Sequence, residues 1–106
     1  MSASLRQMWA AIRELPYPHG RPEVELGSVD FSDLIELDSS IAGYVSRIAA
    51  GEALNSSDRR SLAHASLQVR AMLPELSGET RAYFERVAEL TEGAVSALSA
   101  EEQGAA

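Results

Sequence analysis

The side chains able to move protons, hold a metal or attack an electrophile are few in this sequence, and their spacing suits none of those tasks well. Of the two histidines, His19 sits in the connector PYPHGRP, residues 16–22, and His64 in a helical run beside Arg60, Leu67 and Ala71. Neither has a glutamate three positions earlier, as the ligand pattern of a di-metal carboxylate bundle requires. A metal site using both would need the connector to return over that run, and nothing local demands it. Each histidine therefore reads as an exposed or edge-packed side chain. Cysteine is absent, which removes disulfides, a thiolate nucleophile, zinc–thiolate sites and iron–sulfur ligation. The sequence also lacks a His-Glu-x-x-His motif, a phosphate loop, a dinucleotide fingerprint and a Gly-x-Ser-x-Gly elbow. The expectation is a protein that is not an enzyme and carries no cofactor or metal.

The densest chemistry is acidic. Glu23, Glu25, Asp30, Asp33, Glu36 and Asp38 fall within sixteen residues that hold no arginine. The first three precede or open a helix, where negative charge meets the positive end of the helix dipole. Solubility and capping account for much of such a stretch, and an acidic docking face for a basic protein surface is the functional alternative. Oxygen ligands for a divalent cation are present, but the fixed spacing of a calcium loop is not. Asp38 stands apart, because Phe31, Leu34, Ile41, Val45 and Ile48 put position 38 on or beside an apolar face. A carboxylate there must stay hydrated or meet a polar partner. The expectation is an arginine or a hydroxyl within hydrogen-bond reach of Asp38.

Whole-chain composition narrows the partners. The 106 residues carry 16 acidic groups against 9 arginines, and no lysine, for a net charge of −7. That balance opposes binding to nucleic acid and to anionic lipid. The arginines are scattered, with Arg59–Arg60 the one adjacent pair. No run approaches the ~18 apolar residues of a membrane span. The start, MSASLRQMWAAIRELP, lacks the unbroken apolar region of a secretory signal. A cytoplasmic protein, with no direct nucleic-acid or membrane contact, is the expectation.

The elements that must position these residues all read as helical. Leu5, Met8, Trp9, Ile12 and Leu15 make one stripe of a first helix over 3–15. Pro16 and Pro18 end it. A proline-rich connector over 16–29 follows, longer than the usual 2–8 residues of a bundle loop. A second helix spans about 30–50, capped by Ser28 or Asp30. Its expected buried face is Phe31, Leu34, Ile35, Ile41, Ala42, Val45, Ile48 and Ala49, with Gly51 as the residue that stops it. Ser39, Ser40, Ala42 and Gly43 make a thin section that another backbone could approach. A third helix, about 58–73, is expected to start at a Ser57 cap and to bury Leu62, Ala65, Ser66, Val69, Met72 and Leu73, then Leu76. After Pro74, Ser77 caps a fourth helix over about 78–99, with Arg81–Glu85 and Arg86–Glu89 as surface pairs, and 100–106 reads as a flexible tail.

The sequence thus predicts a single all-α domain: a small four-helix bundle, or a three-helix core with an N-terminal helical arm. Its expected function is protein interaction or regulation, with the acidic stretch steering a basic partner and Trp9, Phe31, Tyr44 or Tyr83 supplying apolar anchors. The residues singled out for partner binding are Glu23, Glu25, Asp30, Asp33, Glu36, Asp38, Trp9 and Tyr44. The competing expectation is a ligand- or metal-binding helical domain, open to enzymatic activity, with Asp38, His64 and Tyr44 around one interior pocket. Oligomeric state is left open by the sequence.

Overall fold

Among the described residues, two short polar side chains start two of the three long helices. Asp30 precedes α1 (Phe31–Ala49), and its carboxylate accepts the Ser32 N–H at 2.8 Å. Asn55 precedes α2 (Ser56–Met72), and its side-chain oxygen accepts the Asp58 N–H at 2.8 Å. Each satisfies a backbone donor that the helix itself cannot. The cap of α2 is therefore Asn55, not Ser57. In the run Asn55-Ser56-Ser57 all three residues can cap, and the first takes the role while both serines enter the helix. The computed structural model describes residues 7, 9, 10, 13, 14 and 26–105, with side-chain surroundings as far as residue 100. Leu5, Met8, Ile12, Leu15, His19, Glu23 and Glu25 lie outside the described residues.

Gly51 ends α1 as its sequence position suggested. Its φ of 85° suits a residue without a Cβ. The Glu52 N–H reaches back to the Arg47 carbonyl at 2.9 Å, and the Gly51 N–H to the Ile48 carbonyl at 3.0 Å. Those two bonds form a Schellman motif. Arg47 then ties the end of α1 to the start of α2 through Asp58 at 3.2 Å.

The 3₁₀ turn Leu73–Glu75 carries Pro74 and separates α2 from α3 (Gly78–Ala105). The Ser77 carbonyl accepts the Arg81 N–H at 3.1 Å where α3 begins. At 28 residues α3 is about 42 Å long. It runs past the expected end at 99, because Ala100, Glu101, Glu102 and Gln103 are all strong helix formers.

The fold is all-α, a three-helix core with helical residues from the N-terminal segment beside it. Leu34, Leu37, Ile41, Val45 and Ile48 of α1 meet Leu62, Ala65 and Val69 of α2 and Phe84, Val87, Leu90 and Ala94 of α3. Each fully buried large side chain in such a core is worth about 1.5–3 kcal/mol. Thr91, fully enclosed, donates its hydroxyl to the Val87 carbonyl at 2.6 Å, so no polar cost is left there. A turn at Leu26–Val29 brings buried Leu26 onto this core. The turn sits hard against Glu75: a Cβ on Gly27, whose φ is 58°, would lie 2.5 Å from the Glu75 carbonyl oxygen.

The buried face of α1 differs from the one expected. Phe31 and Ile35 are exposed at 39% and 43%, whereas Leu37 is buried. The apolar arc of α1 is wider than two neighbouring helices can cover. The core takes the half centred on Leu34, Ile41 and Val45 and leaves the other edge open. Leu37 was hidden in the sequence by its acidic neighbours Glu36 and Asp38. Among the described residues the thin section at Gly43 meets no other backbone, and none of their atoms lies within 4 Å of where its Cβ would be.

Candidate functional site

The two flanks of α1 carry different chemistry, and the structure divides the acidic stretch between them. Residues 33, 36, 40 and 44 follow helical spacing and form one flank, facing α2. Asp33, Glu36, Ser40 and Tyr44 there wall a cleft of about 840 Å³ open to solvent. The opposing wall, on α2, presents Ser57, Arg60, Ser61, His64 and Gln68, and Leu37, Ala65 and Met72 supply apolar floor. The cleft exists because α1 packs less closely on α2 than α2 does on α3. It is polar at the rim, acidic along α1, and basic at Arg60 on α2.

The other flank of α1 faces α3 and is apolar apart from Asp38. Asp38 is half-buried and accepts a hydrogen bond from the Tyr83 hydroxyl at 3.3 Å. The hydroxyl partner expected for this carboxylate is thus present, delivered by α3. Burial pushes the Asp38 carboxyl above its ordinary range, and the Tyr83 hydrogen bond partly offsets that shift. Tyr83 in turn stacks edge-on against the buried Phe84, with ring centroids 5.1 Å apart. Trp9 packs against the core at this seam and, with the exposed Arg13, lines a half-open cavity of about 150 Å³ that Asp38, Ala42 and Tyr83 also border.

The sequence-selected residues therefore fall into two places. Asp33, Glu36 and Tyr44 come together in the cleft, and Trp9 and Asp38 come together in the seam. Asp30 is committed to capping α1. Asp38, His64 and Tyr44 do not share one interior pocket: His64 and Tyr44 line the cleft, and Asp38 lies on the opposite flank of α1. The reason is angular, since positions 38 and 44 are six residues apart and about 120° of azimuth separates them. Among the described residues no group of three or more His, Asp or Glu side chains is placed to hold a metal ion. No helix of the described chain is long and apolar enough to cross a membrane.

Sequence reasoning missed the α2 wall. Ser57, Ser61, His64 and Gln68 repeat at steps of four, three and four, the signal of one continuous helix flank. Read together with Arg60, that flank was available as a polar surface without a cationic run. Comparison of the chain with protein-family models, with curated proteins and with solved structures finds no match among any of them.

Proposed function

We propose that this chain is a small protein-interaction domain whose α1–α2 cleft receives a basic segment of a protein partner. The observation that carries the reading is the alignment of Asp33, Glu36 and Tyr44 along one wall of an open, helix-length cleft. Carboxylates at the rim steer a cationic segment and fix its register, while the floor of Leu37, Ala65 and Met72 supplies apolar contact. Tyr44 offers a large, partly buried ring with a polar tip, a combination favoured at binding surfaces. The overall charge of −7 extends the same field beyond the cleft and raises the encounter rate with a basic partner.

The test compares two variants of equal charge. Asp33→Asn with Glu36→Gln neutralises the cleft wall, and Glu79→Gln with Glu89→Gln neutralises two exposed carboxylates of α3. The probe is a synthetic helical peptide of arginine and alanine, titrated onto the immobilised chain at low salt. Two unit charges about 4 Å apart in water interact by roughly 1 kcal/mol, so losing both cleft carboxylates weakens binding by about tenfold or more. Equal losses in the two variants would show that net charge alone holds the peptide, and the cleft reading would be wrong.

A further inference from the structure

The α1–α2 cleft carries both signs of charge, and the two signs sit at opposite ends. Only the short stretch 50–55 joins α1 to α2, so the two helices run antiparallel. The Arg47–Asp58 contact at 3.2 Å fixes which of their turns lie level. Tyr44 therefore stands toward Ser57, Arg60 and Ser61, whereas Asp33 and Glu36 stand toward Gln68 and Met72. At about 1.5 Å of rise per residue, Arg60 lies about 13 Å along the cleft from Glu36 and about 18 Å from Asp33. Those separations exceed the reach of an arginine side chain, and among the described residues no ion pair joins Arg60 to either carboxylate. Asp58, the carboxylate nearest to Arg60 in sequence, is held by Arg47. Arg70 and Arg81 likewise close on Glu92 and Glu85, at 2.6 and 3.0 Å. Arg60, Asp33 and Glu36 are all exposed, which leaves their charges open to another molecule. Between the two ends the cleft is lined by Leu37, Ser40, Ser61, His64 and Ala65, with no carboxylate or arginine among them.

We infer that the cleft reads the polarity of its partner as well as its charge: the occupant is a helical protein segment that is cationic at one end and anionic at the other, with about nine to twelve residues between the two. The cationic end lies against Asp33 and Glu36. The anionic end meets Arg60, beside Ser57 and Ser61, whose hydroxyls can donate to a carboxylate. A segment that is basic along its whole length places a cation against Arg60, and that like-charge contact is unfavourable. A segment whose charges alternate satisfies neither end fully. Turned end for end, the polarised segment meets like charge at both ends, so the charges fix its orientation. This inference rests on the cleft being the binding site and adds the pattern of charge that the site selects.

The experiment uses the full chain and two alanine-based helical peptides of identical composition, each with equal numbers of arginine and glutamate. One peptide carries its arginines in one half and its glutamates in the other, and the second alternates them. Their zero net charge removes the general pull of the chain's −7. An exposed ion pair is worth up to about fivefold in affinity, and the segregated peptide makes such pairs at both ends of the cleft. Fluorescence anisotropy should show it binding at least about fivefold more tightly than its alternating isomer. On the Arg60→Glu chain that advantage should fall below about twofold. A nitroxide on the arginine half should broaden the amides of Asp33 and Glu36, and one on the glutamate half those of Ser57 and Ser61. Equal affinity for the two isomers would overturn the proposal, as would an advantage that survives Arg60→Glu, the same broadening from both labels, or no binding of either isomer. The arginine–alanine peptide is titrated in parallel onto the wild type and the Asp33→Asn, Glu36→Gln chain. If it depends on those two carboxylates while the neutral isomers bind alike, the cleft remains the binding site and its polarity is refuted. If it binds both chains equally, the cleft itself is refuted and the polarity falls with it.

Discussion

Tyr83→Phe is the sharpest single probe of the α1–α3 seam. The substitution keeps the ring and its edge-on contact with Phe84 and removes the hydroxyl that donates to Asp38 at 3.3 Å. That bond is long and the carboxylate is half-exposed, so its net worth falls in the ordinary range of about 0.5–1.5 kcal/mol rather than the higher range for buried charged groups. For a domain of this size the loss corresponds to a drop of a few degrees in Tm, with roughly 4–8 °C expected per kcal/mol. The pH dependence fixes the sign. Asp38 has a folded pKa above its unfolded value, so the folded chain holds this proton more tightly than the unfolded chain. Its ionisation costs stability as pH rises from the ordinary aspartate range, near 4, through the raised folded value. The Tyr83 hydroxyl limits that cost, so Tyr83→Phe should be most damaging at neutral pH and mildest near pH 3. Asp38→Asn should have the opposite sign, gaining stability over the wild type at pH 7 and losing that advantage at pH 3. Urea titrations at the two pH values, with the Asp38→Ala/Tyr83→Phe cycle to isolate the pair, provide the measurement. A Tyr83→Phe cost that is the same at both pH values, or an Asp38→Asn chain less stable at pH 7 than at pH 3 relative to wild type, would mean that Asp38 is not a burial-strained carboxylate relieved by Tyr83.

Further expectations follow from single positions. Leu37→Ala should cost about 2–5 kcal/mol in urea unfolding, whereas Ile35→Ser should cost no more than about 0.5 kcal/mol; reversed magnitudes would mean that α1 buries the other edge. Gly43→Ala should stabilise by about 0.5–1 kcal/mol, because its Cβ meets open space within a helix. Gly27→Ala should destabilise by about 1–3 kcal/mol in the same assay, since its φ of 58° and the Glu75 carbonyl both oppose a side chain. Arg70 grips Glu92 with two bonds, of 2.6 and 2.7 Å, between α2 and α3. The pair holds the Glu92 carboxyl below its ordinary range. Its contribution is therefore full above the unfolded glutamate value and fades as pH falls through the lowered folded one. Both side chains are exposed, so Arg70→Ala should cost at most about 1 kcal/mol at pH 7, and less in high salt.

Local chemistry made much of this fold legible in the sequence. Asp30, Gly51 and Pro74 mark ends whose geometry depends on one residue and its nearest neighbours, and each does there what its type suggests. The Arg81–Glu85 pair likewise closes within one helix, at 3.0 Å. What stayed hidden depends on how the helices sit against each other. The choice between Phe31 with Ile35 and Leu37 as core is made by the directions from which α2 and α3 approach α1, and periodicity alone gives both edges equal claim. Choosing Asn55 over Ser57 as the cap is a competition among adjacent equals. For the candidate site, an acidic stretch is visible in the sequence, but its division is not. Asp33 and Glu36 turn to the cleft and Asp38 to the seam because a helix rotates about 100° per residue. A polar partner for Asp38 could be anticipated from the cost of burying a carboxylate. That Tyr83 would supply it required the packing of α3.

The proposed landing site of a basic segment is the α1–α2 cleft. Amide chemical-shift mapping tests this directly: the isotopically labelled chain is titrated with the arginine–alanine peptide and each backbone amide is followed. Perturbations concentrated at Asp33, Glu36, Ser40 and Tyr44 of α1 and at Arg60, His64 and Gln68 of α2 are the predicted result. Shifts spread along Glu79, Glu85, Glu89 and Glu92 of α3, with the cleft amides unmoved, would contradict it.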